Sequence, residues 1–360
     1  MPRPVLDLSA TTVELTRQLC DIESVSGNER AIADAVEAAL TGLSHLEVIR
    51  DGDAIVARTN LGRDRRVAIA GHLDTVPVNN NLPSRFETVD GVEYLVGRGT
   101  VDMKGGAAVA LKLAAELTEP PVDLTWIWYD HEEVEAERNG LRRLATSRPE
   151  LLAADFAILA EPTSAVIEGG CNGTLRADVR LSGIRAHSAR WWVGSNAIHA
   201  AAPVLQLLAD YEPAELEVDG LVYREGLNAV GIRGGVAGNV IPDEAVISVN
   251  YRFAPSRSAE QAIAHVCEVF DGFEVQITDL AEGARPGLDA PLAQDFLAAV
   301  GGVAKPKYGW TDVARFSALG IPAVNYGPGD ALLAHTDDER VAVNEILACE
   351  RGLRAWLSAG

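Results

Sequence analysis

The stretch Val67-Ala-Ile-Ala-Gly-His-Leu-Asp-Thr-Val-Pro77 decides how this chain is read. Val67 to Ala70 is an unbroken apolar run that leads straight into Gly71-His72. A half-exposed strand alternates apolar with polar residues, whereas a strand covered on both faces is apolar throughout. The pattern recurs twice: Leu124-Thr-Trp-Ile-Trp-Tyr129 leads to Glu132-Glu133, and Phe156-Ala-Ile-Leu-Ala160 leads to Glu161. Sheets of such strands are mostly parallel, wrapped by helices, and carry their ligands at the strand C-termini.

The segments between these runs read as helices, Gly105 to Leu117 and roughly Glu137 to Thr146. Two capping boxes, Thr11-x-x-Glu14 and Ser26-x-x-Glu29, precede helical spacings of Leu15, Leu19, Ile22 and of Ile32, Val36, Leu40, with Gly42 as terminator. The middle of the chain reads differently. Strands are predicted over Leu175–Leu181, Asn228–Arg233, Ala245–Phe253 and Phe273–Ile277, with helices over Ser195–Ala209 and Ala259–Phe270. That order, β-α-β-β-α-β, is ferredoxin-like. Within it Ile247, Val249, Tyr251 and Phe253 share one face, while Ser248, Asn250 and Arg252 share the other. The expected architecture is an α/β catalytic domain, residues 1–174 and 285–360, with a mostly parallel central sheet flanked by helices. An α+β lid, residues 175–284, is inserted into it. At 360 residues the chain is long enough for two cores.

Bulk properties narrow the function classes. A formal charge of −21 argues against nucleic acid or an anionic membrane as partner. No run of about 18 apolar residues occurs, and Met1 to Ala10 lacks a basic-then-apolar pattern, so a cytoplasmic enzyme is expected. Cys20, Cys171, Cys267 and Cys349 are scattered without C-x-x-C spacing, which points to free thiols rather than disulfides or thiolate metal sites.

The polar residues at the strand ends carry the chemistry. Asp74, two residues beyond His72 on an extended segment, can take the far ring nitrogen of a metal-bound His72 and fix its tautomer. Asp102 lies in Gly97-Arg-Gly-Thr-Val-Asp-Met-Lys-Gly-Gly106, where glycines permit unusual backbone geometry. It is placed either to bridge two cations or to N-cap the next helix. Of the adjacent acids Glu132 and Glu133, one can ligate a cation while the other moves a proton; as a bare pair they would form an acidic loop. Glu161 is followed by the rigid Pro162, and His335 is the only histidine after His265. Two imidazoles and three carboxylates, with one spare glutamate, suit a pair of zinc ions, and Co2+ or Mn2+ as substitutes.

These residues, in this order, resemble peptidase family M20, the co-catalytic zinc aminoacylases and carboxypeptidases. Gly71-His-Leu-Asp-Thr-Val-Pro77, Gly97 to Gly106 and the Glu132-Glu133 pair carry the likeness. It implies one zinc held by His72, Asp102 and Glu161, a second held by Asp102, Glu133 and His335, Glu132 as general base and acid, and a cis peptide at Asp102-Met103. Further stretches are similar to the actinobacterial desuccinylating members: Pro77 to Pro83, Gly183-Ile-Arg-Ala-His-Ser-Ala-Arg190, Gly238-Asn-Val-Ile-Pro-Asp243 and Gly309-Trp-Thr-Asp-Val-Ala-Arg-Phe316. That likeness implies a small N-acyl amino acid substrate, with cleavage of the succinyl amide of N-succinyl-LL-2,6-diaminopimelate. It further implies a homodimer through the lid. His187 would stabilise the oxyanion across the dimer, and Asn239, Arg252 and Thr311 would bind substrate. The family usually has a small or acidic residue where His131 stands. Other deacylases and dipeptidases of the family, and an inactive binding relative, are the competing readings.

Overall fold

The computed structural model describes residues 4–359. Helices α1 (Thr12–Cys20) and α2 (Arg30–Thr41) precede the hairpin of β1 (Glu47–Asp51) and β2 (Ala54–Arg58). There follow β3 (Arg66–His72), α3 (Lys104–Glu116), β4 (Asp123–Tyr129), α4 (Gly140–Ser147) and β5 (Phe156–Leu159). The three apolar runs are thus strands, and β3 pairs in parallel with both β4 and β5. Every residue of β4 is buried, as is β3 beyond Arg66. The antiparallel hairpin extends the sheet from β4 through β2.

Two compact units divide the chain: Met1–Gly169, Pro286–Lys305 and Thr311–Gly360 form the first, Gly170–Arg285 and Pro306–Trp310 the second. The second contains β6 (Gly173–Ser182), α5 (Ala201–Ala209), β7 (Gly226–Gly234), β8 (Glu244–Phe253), α6 (Ala259–Val269) and β9 (Glu274–Ala281). Its sheet is antiparallel in the order β7-β8-β6-β9, the ferredoxin-like arrangement. Along β8, Ile247, Val249, Tyr251 and Phe253 are buried and Ser248, Asn250 and Arg252 half-buried. Pro306–Trp310 joins this unit because Asn172 donates its N–H to the Lys307 carbonyl and Trp310 Nε1 donates to that of Glu282. The chain then completes the first unit with α7 (Pro291–Val300), α8 (Val313–Ala318), β10 (Ala323–Asn325) and α9 (Val343–Leu357). β10 lies parallel to β5, and Leu353, Trp356 and Leu357 of α9 join the core of Ile69, Trp126, Phe156 and Ile158.

Some local expectations fail for identifiable reasons. Thr11 caps α1, its hydroxyl accepting from the Glu14 N–H. Ser26 does not cap α2, whose N-cap is Glu29; its hydroxyl instead donates to the Asp74 carboxylate at 2.6 Å. The helix expected from Ser195 begins only at Ala201, because Ser195 and Ile184 exchange main-chain hydrogen bonds and Ala197 donates to Pro242. The hairpin Glu215–Val218 with Leu221–Arg224 was not among the expected elements, although its two-residue turn, Asp219-Gly220, both at positive φ, carries the usual sequence signal for one. Among the described residues no helix is long and apolar enough to cross a membrane.

The glycines of the Asp102 segment serve two purposes. Gly99 has a φ of +82°, a left-handed conformation. Gly106 is helical, and there the need is closeness: a Cβ would stand 2.1 Å from the Ala160 carbonyl oxygen, at the end of β5. The backbone of α3 can approach that strand end only without a side chain. Gly106→Ala is therefore expected to cost about 1–3 kcal/mol from overpacking, read as a lower urea midpoint at unchanged slope. An unshifted midpoint would show that the contact yields without cost.

Candidate active site

The strand order places His72, Glu132-Glu133 and Glu161 at or just beyond the C-termini of three neighbouring parallel strands. His72, the last residue of β3, is fully buried. Its Nδ1 lies 3.0 Å from the main-chain carbonyl of Asp74, so that nitrogen carries the ring hydrogen. Nε2 then turns a lone pair toward Asp102 Oδ1 at 3.0 Å. The other Asp102 oxygen is 3.3 Å from Nε2 of His335, which lies 3.0 Å from Glu133 Oε2. Donor atoms of His72, Asp102 and Glu161 fall within 4.8 Å of one another, as do those of Asp102, Glu133 and His335. A third such set is His72, Glu132 and Glu133.

Asp102 is not an N-cap: α3 begins after Met103, and the Asp102-Met103 peptide is cis. Asp74 differs from expectation. β3 ends at His72, so the two-residue alternation does not extend to Asp74, and its main-chain oxygen takes the imidazole. The carboxylate is 3.6 Å from that ring. It accepts instead from the N–H groups of Glu132 at 3.0 Å and Glu133 at 3.1 Å, and from Ser26. Asp74 thus orients the acidic pair.

The electrostatics are those of a crowded acidic site. Burial pushes the Glu132 carboxyl well above its ordinary range despite nearby His72, with Asp312, Glu161 and Glu133 adding to the rise. Burial likewise raises Glu133, against the bond from His335. Burial opposes the charged form of His72, but Asp102, Asp74 and Glu132 prevail and raise its pKa. Asp102 and Glu133 lift His335 to about 10. Burial works against the Asp102 carboxylate, yet the two imidazoles hold its pKa below the usual range.

This donor set fits a pair of divalent cations. The His72 Nε2 lone pair faces a carboxylate oxygen, an arrangement that calls for a positive charge between them, and His335 Nε2 is shared between the two carboxylates of Asp102 and Glu133. Imidazole and carboxylate donors together suit zinc.

His131 stands apart. Its Nδ1 is 2.7 Å from Asp130 Oδ2, and Nε2 accepts from Arg138 at 2.8 Å. Both ring nitrogens are engaged away from the cluster. Thr311, also in the first unit, is buried, and its hydroxyl donates to Asn325. His187, Asn239 and Arg252 belong to the second unit. The exposed His187 accepts at Nδ1 from the Ala189 N–H, which leaves Nε2–H as its donor when neutral. The Asn239 carbonyl accepts from the N–H of Ser188, holding these two segments together. Arg252 is half-buried, and burial with neighbouring Arg176 lowers its pKa.

Sequence reasoning did not single out Ser26, Arg98 or Glu339. Glu339 was visible as the end of His335-Thr-Asp-Asp-Glu339 but bore no ligand spacing; Ser26 was spent on a capping box that does not form.

Comparison with known proteins agrees with this geometry. The chain is 48% identical to the succinyl-diaminopimelate desuccinylase of Corynebacterium glutamicum, over 99% of this chain and 98% of that protein. It is 55% identical to a Mycobacterium tuberculosis protein named "Putative succinyl-diaminopimelate desuccinylase DapE", over 98% and 99% of the two chains. Among solved structures, a tripeptidase from Staphylococcus aureus superposes with a TM-score of 0.79 at 20% identity, covering 98% of each chain, which speaks to the fold. The sequence profile of peptidase family M20/M25/M40 matches residues 68–359. The chain belongs to this family.

Proposed function

We propose that this chain is a cytoplasmic dizinc amidohydrolase that cleaves N-succinyl-LL-2,6-diaminopimelate to succinate and LL-2,6-diaminopimelate. The observation that carries the chemistry is the sharing of Asp102 between two donor triads. The substrate assignment rests on full-length similarity to the Corynebacterium glutamicum desuccinylase. In this reading His72, Asp102 and Glu161 hold one ion and Asp102, Glu133 and His335 the other. When bound, the ions polarise the amide carbonyl and acidify water. Glu132 takes the proton of the attacking water and passes it to the departing amine, a task suited to a carboxyl whose pKa burial has raised. Asp74 holds the Glu132 and Glu133 main chains in register for this exchange. The partner's His187 supplies Nε2–H to the oxyanion. Asn239 and Thr311 position the substrate. Arg252, with Arg176 beside it, receives a substrate carboxylate.

The dimer is supported by the exposed edge of the second unit's sheet. Strand β7 pairs only with β8 in that sheet and leaves Val230 64% and Ile232 59% exposed. An open apolar edge of this kind is a template for pairing with a second copy.

Metal removal with a chelator is expected to abolish hydrolysis of succinyl-diaminopimelate, with recovery on adding zinc, cobalt or manganese. Faster turnover of acetylornithine or simple dipeptides than of the succinyl substrate would sink the specific assignment. Glu132→Gln is expected to lower kcat about 10²–10⁴-fold, the usual worth of a general base, while two metal equivalents remain by elemental analysis. Near-normal turnover would remove Glu132 from its role. Ile232→Lys should shift the protein from dimer to monomer in light scattering, and a persistent dimer would place the interface elsewhere.

A further inference from the structure

Beneath the cluster lies a buried ion pair that none of the proposed chemistry uses. Arg98 and Glu339 side chains are 3% and 1% exposed, with Nη1 of the arginine 2.7 Å from Oε2 of the glutamate. Glu339 Oε1 accepts from the N–H of Val101 at 3.0 Å and of Asp102 at 3.2 Å. Arg98 also donates to the main-chain carbonyls of Thr336 and Pro77, each at 3.2 Å. The main-chain oxygen of Glu339 accepts from Gly97 N–H at 2.9 Å. One end of this pair therefore grips the backbone of Asp102. The other grips the residue next to His335, and a third contact reaches the loop that leaves the His72 strand.

The two donor triads depend on this arrangement unequally. His72 is fixed by its place in β3, and Glu161 lies two residues past the end of β5. His335 sits on no strand or helix, has a left-handed φ of +63°, and its side chain is 54% exposed. Its position relative to Asp102 is set largely by the segment ending in Glu339. We infer that Arg98 and Glu339 are positioning residues that hold His335 at its distance from Asp102, and so govern cation binding by Asp102, Glu133 and His335 rather than by His72, Asp102 and Glu161. This rests on the reading of the cluster as a two-metal site.

The test is a titration of metal-free protein with cobalt, followed by calorimetry and by the visible spectrum of each bound equivalent. Glu339→Gln keeps one acceptor for the two amides but turns an NH2 group toward the Arg98 guanidinium, donor against donor. The double variant Arg98→Met with Glu339→Gln removes the stranded buried charge as well, and so guards against a simple failure to fold. In both, the first equivalent should bind within about threefold of wild type, as expected if its ligands stay in place. The second should weaken about 10–100-fold, the usual effect of removing a partner that orients a ligand, and its spectrum should change. Equal weakening of both equivalents, or an unchanged second equivalent, would overturn the assignment. A wild-type chain that took up fewer than two equivalents would instead sink the underlying two-metal reading.

Discussion

Nε2 of His72 and Oδ1 of Asp102 face one another at 3.0 Å, with the hydrogen of that ring directed to the Asp74 carbonyl. A lone pair aimed at a carboxylate repels it unless something positive lies between. His335 Nε2 lies between two carboxylates, Asp102 and Glu133, whose combined charge draws positive charge to the same place. A proton on each imidazole satisfies the demand, which is why both histidines bind protons more tightly than usual. Divalent cations satisfy it with more charge. The first unit delivers these atoms to one place from three strand ends and two loops.

The scaffold provides this convergence by close backbone packing. Parallel strands β3, β4 and β5 bring three chain segments side by side with their C-termini on one edge. α3 lies near enough to touch the main chain of Ala160, which an alanine in place of Gly106 would prevent. The Trp128 indole donates to the Ala107 carbonyl, tying β4 to the same helix. Rigid elements thus fix His72 and Glu161, and local side-chain contacts fix the rest. Asp74 illustrates the second class, since it aligns the two amides of Glu132 and Glu133 and is itself held by Ser26.

Much of this was legible before any coordinates. Unbroken apolar runs identify doubly covered strands, and polar residues after them identify the site edge, because burial and exposure leave direct marks on composition. The alternation along β8 was equally plain. What sequence could not supply was the destination of individual hydrogen-bonding groups. Ser26 and Glu29 have the spacing of a cap, yet the helix starts only at Arg30, and the Ser26 hydroxyl donates to a carboxylate distant in sequence. Asp74 lies two residues from His72, but the strand ends between them, and its main chain takes the ring in place of its side chain. Arg98 and Glu339 stand 241 residues apart, so no local pattern links them.

The second unit also has a feature at its base with a wider bearing. Cys171 and Ala284 exchange two main-chain hydrogen bonds, at 2.9 and 3.0 Å, near the two ends of its main segment. Entry and exit of that segment are therefore neighbours, joined like the neck of a drawstring bag. A module closed in this way can be lengthened, trimmed or traded during descent without rerouting the chain that carries it. Changes in what such a protein acts upon could accumulate there, while the strands that present His72 and Glu161 stay untouched.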